Sequence, residues 1–386
     1  MPAGGAVLGP GAGADDPRLA RSGGRDGLSL ALIDSRNALL ARLSMHEDAA
    51  SLRTALQAGA YQELWISRHV QRGRGEACDP AAVRLAGVEP RLEAWLAPDL
   101  APPGPAAARA YLRDTLEITL ELLAGTPETD EALHFFRMAL MHEDRLVERW
   151  SLERMDVLDL GAPPARARRE PLVMPAQRWM LGSMPGGLVP HAERWAHEVA
   201  VPEFEIDARP VDWDAFLEFA ADGGYDRPEW WSAEGWRWVQ DSGRRAPGGV
   251  EQLAGSVVLH RGGRLVRAPG AQPVMRVSRH EAQAWCRWAG RRLPTEPEWE
   301  LAAATAASRG FAWGDVLEWV AGSPRAWHGA GEPGPWELDR PDPQGARGVL
   351  RGASFLGSPR LRHAKARRFA GLADDAAGAG FRSCAP

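Results

Sequence analysis

A chain of 386 residues is longer than one ordinary core organises, so two domains are expected. A formal net charge of -5 and a pI of about 6.1 exclude the electrostatic footprint of a nucleic-acid binder. No apolar run approaches the ~20 residues that span a bilayer. The cysteines Cys78, Cys286 and Cys384 lie too far apart for a CxxC metal pair or a disulfide framework, which favours a reducing compartment.

Residues 1–27 are rich in Gly, Ala and Pro and lack a basic stretch followed by an apolar one. They are expected to be disordered, with no signal peptide, and the protein to be cytoplasmic. From residue 28 the pattern is helical. Leu32, Leu39, Leu40 and Leu43 recur at helical spacing. A second helix is predicted over 60–70, with Leu64 and Trp65 on its apolar side. A third over 106–123 carries Tyr111, Leu112, Leu116 and Leu123, and Gly125, Thr126 and Pro127 end it. Thr129 or Asp130 caps a fourth, from 131 to 150. Four amphipathic helices in this span predict a four-helix bundle over 28–162. The 77–105 connection is Pro-rich and expected to be irregular.

Pro163, Pro164, Arg166, Arg168 and Arg169 mark a linker, set at 163–176. Beyond it, over 177–386, apolar runs are short, glycines many and tryptophans scattered, so the reading is a loop-rich α+β domain. Two short helices stand out, 213–221 and 278–288. The second has Ser278 with Glu281 three residues on, a capping box. The chain holds 17 Trp against 3 Tyr, and Trp supplies large rigid surfaces that hold a fold with few regular elements. Lys365 is the only lysine, a bias that reads as base composition rather than function.

Several phrases occur in a fixed order in the second half. They are Trp195-Ala196-His197-Glu198-Val199, Arg209-Pro210-Val211, Gly290-Arg291-Arg292-Leu293-Pro294-Thr295-Glu296-Pro297-Glu298-Trp299-Glu300, Arg351-Gly352-Ala353-Ser354-Phe355 and Gly380-Phe381-Arg382. On these the second half resembles the formylglycine-generating-enzyme type of domain, a variant of the C-type lectin-like fold. The first half resembles the DinB-like four-helix bundle that precedes this domain in ergothioneine-type sulfoxide synthases. The phrases Ala77-Cys78-Asp79-Pro80 and Phe135-Phe136-Arg137-Met138-Ala139-Leu140 before His142 resemble the selenoneine synthase branch of that family.

The resemblance implies a non-haem iron enzyme that uses O2. It joins C2 of the imidazole of hercynine to sulfur or selenium, with a thiol or a selenosugar as donor, and needs neither nucleic acid nor membrane. It also implies three His ligands to Fe(II), two of them in an HxxxHxE motif on one helix face. Carried over residue by residue, His69 matches the first ligand and His142 the second. Leu146 stands at the third, and Glu148 keeps the final carboxylate. A two-His site is expected to bind Fe(II) weakly unless Glu148 turns in, which requires distortion. Glu143 and Asp144 point elsewhere at ~100° per residue, and His134 lies two turns away.

Other departures accompany Leu146. The family carries an active-site tyrosine after its Glu-Trp motif, here Glu318-Trp319, but 323–336 holds no Tyr. Near the C-terminus, Asp374, Asp375 and Arg382 are candidates for binding substrate, the two acids through its trimethylammonium group. For Arg351 and Arg382 a buried ion pair is the competing reading, and for Asp374 and Asp375 a solvated loop. The balance is an iron-dependent enzyme of this type with activity much reduced. The alternative is a catalytically silent relative that binds a small molecule or a protein.

Overall fold

The structure is a computed structural model that describes residues 13–340 and 347–386. A short helix α1 (Leu19–Ser22) precedes α2 (Arg25–Met45), α3 (Ala49–Gln62), the single turn α4 (Leu92–Leu96), α5 (Pro105–Ala124) and α6 (Asp130–Arg154). Helices α2, α3, α5 and α6 form the bundle. Three of these starts have a local cause. Asp48 accepts from the Ser51 amide at α3, Pro105 opens α5, and Thr129 accepts from the Ala132 amide at α6.

Two expectations change here. Of the segment expected to be disordered, residues 1–12 lie outside the described residues. Residues 13–27, however, include α1, with Leu19 and Ala20 buried and Arg21 paired with Glu193 at 2.8 Å. Apolar burial and an ion pair to the second domain fix this stretch. The second helix also starts earlier than predicted, because its first half is built from small residues that give a weak periodic signal. It then widens into a π-helical turn, Glu63–Ser67, and ends before His69.

The second domain is the α+β unit the sequence implied. Four strands form its central sheet: β8 (Leu317–Val320), β9 (Arg347–Gly352), β10 (Arg367–Gly371) and β11 (Ala379–Phe381), in the order β10-β9-β8-β11 with only β11 parallel to its neighbour. Around it lie the pairs β1 (Leu172–Met174) with β4 (Phe204–Ile206) and β2 (Gln177–Leu181) with β3 (His197–Val201). The meander β5 (Val250–Leu253), β6 (Val257–Arg261) and β7 (Arg264–Arg267) completes the strands. Helices α7 (Trp213–Ala221) and α9 (Arg279–Trp288) match the two expected, the latter with its Ser278–Glu281 capping box. Two more are α8 (Ala233–Ser242) and α10 (Glu296–Thr305). The second has its own capping box from Thr295 and Glu298.

The two domains share cores. Leu152 and Met155 at the end of α6 pack into the second domain, while Leu188, Trp336 and Leu361 insert among the bundle residues. Ion pairs tie the same seam: Arg360 to Asp144 at 2.7 Å, Arg145 to Asp339 and Arg194 to Glu76. No helix among the described residues is long and apolar enough to cross a membrane.

Candidate functional site

The bundle and the central sheet enclose a cleft of about 720 Å³. Helix α6 supplies His142, Arg145 and Leu146; the end of α3 and its π-helical turn supply Tyr61 and Trp65; the 335–339 loop supplies Trp336 and Glu337. The helical register sorts α6 into faces. Glu143 is fully buried against Arg36 at 2.6 Å, and Asp144 against Ser35 and Arg360. His142 is left on the cleft side, its ring stacked on Tyr61 with centroids 4.4 Å apart.

His142 is neutral in this setting. Burial first, then Arg145 and Arg149, push its pKa down to about 3, and its Nδ1 is buried without a partner. The Tyr61 hydroxyl donates to the Trp336 carbonyl oxygen at 3.2 Å. Burial, with the Glu337 charge adding to it, holds that phenol well above its usual pKa. Glu337 accepts from the His191 amide at 3.1 Å, and Arg194 stands 3.4 Å away. The same guanidinium is engaged by Glu76 and the Val189 carbonyl, so it compensates Glu337 only in part. Burial therefore prevails and pushes Glu337 up to about 7.

The sequence-derived ligands separate. His69 has no exposed surface and does not line the cleft. It lies beside the stacked pair Trp65 and Phe135, with ring centroids 5.6 and 5.9 Å away. Its Nδ1 accepts the Gln71 backbone N–H at 3.1 Å, so a neutral imidazole carries its proton on Nε2, which is buried with no partner. A ligating Nε2 needs the opposite tautomer. Leu146 is buried among Leu39, Leu43 and Val147. Glu148 reaches the cleft with both oxygens committed: Oε1 accepts from Ser354 at 2.7 Å and Oε2 from Arg368. Gly357 permits this approach, since a Cβ there would meet Oε1 at 2.6 Å. The residues present do not form the three-His iron site that the resemblance implies, and His142 is the one imidazole left at the cleft. Among the described residues no group of three or more His, Cys, Asp or Glu converges as a metal site.

The three substrate candidates part ways in the fold, Asp374 at the cleft and Arg382 in the core. Arg382 is fully buried, paired with Glu318 at 2.5 and 2.7 Å and donating to the carbonyls of Asp207 and Ala312. It faces the core because Glu318 on β8 lies opposite it. Asp375 is held by Arg244 at 2.5 Å. Asp374 does line the cleft, but one oxygen accepts the amides of Ala376 and Ala377 and shapes its turn. The sequence reading missed Tyr61, Trp336 and Glu337 as cleft residues. The one available signal was the rarity of tyrosine, of which Tyr61 is the only one at the cleft.

A helical bundle packed on a domain of this type, with the cleft between them, defines a two-domain class with comparable known proteins. The model of the sulfatase-modifying factor enzyme 1-like domain matches residues 170–332. A hercynine oxygenase of Mycolicibacterium smegmatis is 34% identical over 281 residues, 67% of this chain and 63% of that protein. A hercynine oxygenase of Mycolicibacterium thermoresistibile is 33% identical over 326 residues, 75% of this chain and 69% of that protein. A formylglycine-generating enzyme of Mycobacterium tuberculosis is 30% identical over 154 residues, 31% of this chain and 47% of that protein. The chain belongs to the hercynine oxygenase family. It spans 63% of the length of the M. smegmatis and M. tuberculosis members.

Proposed function

We propose that the interdomain cleft binds hercynine, and that the ergothioneine-type, O2- and iron-dependent joining of its imidazole to sulfur or selenium runs here at much reduced turnover. The observation that carries this reading is the single cleft imidazole, His142, with Leu146 where a second would stand. Tyr61 and Trp336 line the cleft, and an aromatic face attracts a desolvated quaternary cation such as a trimethylammonium group by ~2 kcal/mol, although one face of Tyr61 is taken by His142 and Trp65 is covered by Phe135 and Arg84. The Nδ1 of His142 and the Nε1 of Trp336, both on cleft-lining residues, are buried and unpartnered. Tyr61 keeps its proton throughout the physiological range, while Glu337 exchanges one near neutral pH. The bundle phrases support selenium, delivered by a selenosugar, over a thiol.

The absence of a convergent metal-binding group among the described residues favours a second reading, in which the chain binds the betaine and does not turn it over. Calorimetry with hercynine, followed by product detection with Fe(II), O2 and either a thiol or a selenosugar, separates the two. The proposal expects one hercynine per chain, lost in Tyr61→Ala, and slow product formation. Binding without product selects the second reading. No hercynine binding overturns both, and turnover at the rate of a relative with three His ligands overturns the loss of activity.

A further inference from the structure

The arginine-rich segment that joins the two domains plays no part in the cleft. Pro163, Pro164 and the arginines at 166, 168 and 169 read in sequence as a linker and nothing more. In the fold, this segment lies over a separate cavity of about 190 Å³. Asp207, Arg209 and Asp212 line one side of it and Asp315 another.

The charges of this cavity sort into used and unused. Arg166 meets Asp315 through two hydrogen bonds, at 2.5 and 2.9 Å. Arg168 meets Asp212 through two more, both 2.8 Å. These forked pairs staple the linker to the second domain. The third lining acid, Asp207, is taken by Arg291 at 3.2 Å and by the amide and hydroxyl of Ser383 at 2.9 and 2.6 Å. Arg169 and Arg209 remain, and neither has a carboxylate partner among the described residues. The Nε of Arg209 is buried with no hydrogen-bond partner at all. Arg382 lies close by, but Glu318 neutralises it.

We propose that Arg169 and Arg209 bind a small tetrahedral oxyanion, phosphate or sulfate, in this cavity between the linker and the second domain. Two guanidinium groups without a carboxylate paired to them, in a lining of four Arg against three Asp, leave a net positive charge, and guanidinium is the side-chain group best shaped for forked hydrogen bonds to such an anion. An orphaned donor in a polar cavity is otherwise costly. Arg209 is further disfavoured as a cation by burial first, then by Arg166 and Arg169, with Asp315 offsetting them only in part, and a bound anion would relieve that deficit. The volume admits one such ion with a few waters and falls below the ~300 Å³ of ordinary small-molecule pockets, so a nucleotide is not the ligand. The anion can be free or the terminal phosphoryl of a small phosphomonoester.

The test is a titration of the full chain with inorganic phosphate, sulfate and glycerol phosphate, read by calorimetry and thermal unfolding against chloride at matched ionic strength. Saturable heat and a Tm that rises with log concentration are expected for phosphate and not for chloride. Arg209→Met is expected to weaken binding at least tenfold. Arg169→Ala, at an exposed position that leaves packing intact, should weaken it severalfold and serves should Arg209→Met fail to fold. Exposed Arg178→Ala should change nothing. Tighter binding of glycerol phosphate than of phosphate identifies a phosphomonoester as the source, and the reverse identifies the free ion. Equal responses to phosphate and chloride, or phosphate binding unchanged in Arg169→Ala, overturn the proposal.

Discussion

His142 and His69 look equivalent in sequence, yet the fold treats them in opposite ways. His142 sits in the middle of a long helix whose other faces are locked by Arg36–Glu143 and Arg360–Asp144, so its ring is delivered to the cleft wall against Tyr61. His69 lies past the end of the π-helical turn, where the chain bends into the 70–84 connection and a bridge between His69 and Arg84 holds it. Aromatic rings close over it, and the Gln71 amide claims its lone pair. A rigid, well-anchored helix projects a functional group into the cleft. A helix end behind it turns the same residue type into packing.

The largest expected effect falls on the packing side. Phe135 is fully buried and stacks on Trp65 and His69, with Trp336 against its edge. Phe135→Ala should cost about 3–5 kcal/mol in chemical denaturation. A cost below ~1 kcal/mol would mean that His69 is not held by a close-packed nest.

The cleft side should respond to pH. Glu337 is raised to about 7 in the folded chain from an ordinary 4.5, so the folded state binds the extra proton. Its stabilising contribution is complete below pH ~4.5 and is lost as pH rises through 7. Glu337→Gln should match the parent at about pH 4 and exceed it by up to about 3 kcal/mol at about pH 8. A variant no more stable than the parent at pH 8 would show the carboxylate to be fully compensated.

The smallest effect sharpens the contrast most. His69→Phe keeps the aromatic stack and removes the orphaned Nε2–H, but deprives the Gln71 amide of its acceptor. These oppose each other, and stability should stay within about 1 kcal/mol of the parent. Metal affinity should not change.

Local signals explain which parts were legible. Helices α7 and α9 could be read because their caps and apolar faces lie within ten residues. The acids Glu296, Glu298 and Glu300 suggested a helix cap paired with Arg291 or Arg292; Glu298 does pair with Arg292, but Glu296 and Glu300 find Arg367 and Arg351, far along the chain. The start of α3 was hidden by small residues, and the placement of His69 followed from that error. Tyr61 and Trp336 were beyond local reading, since the hydrogen bond that joins them spans 275 residues of sequence. Arg382 could be assigned to core or cleft only once Glu318 was seen beside it.

Anaerobic Fe(II) titration by calorimetry, wild type beside Leu146→His, tests the central claim most directly. The account expects no stoichiometric binding at micromolar affinity in the wild type. The variant, with a second imidazole one helical turn from His142, should bind at least tenfold tighter, about 1.4 kcal/mol or more. Wild-type binding of one iron at micromolar affinity or tighter, abolished by either His69→Ala or His142→Ala, would contradict it.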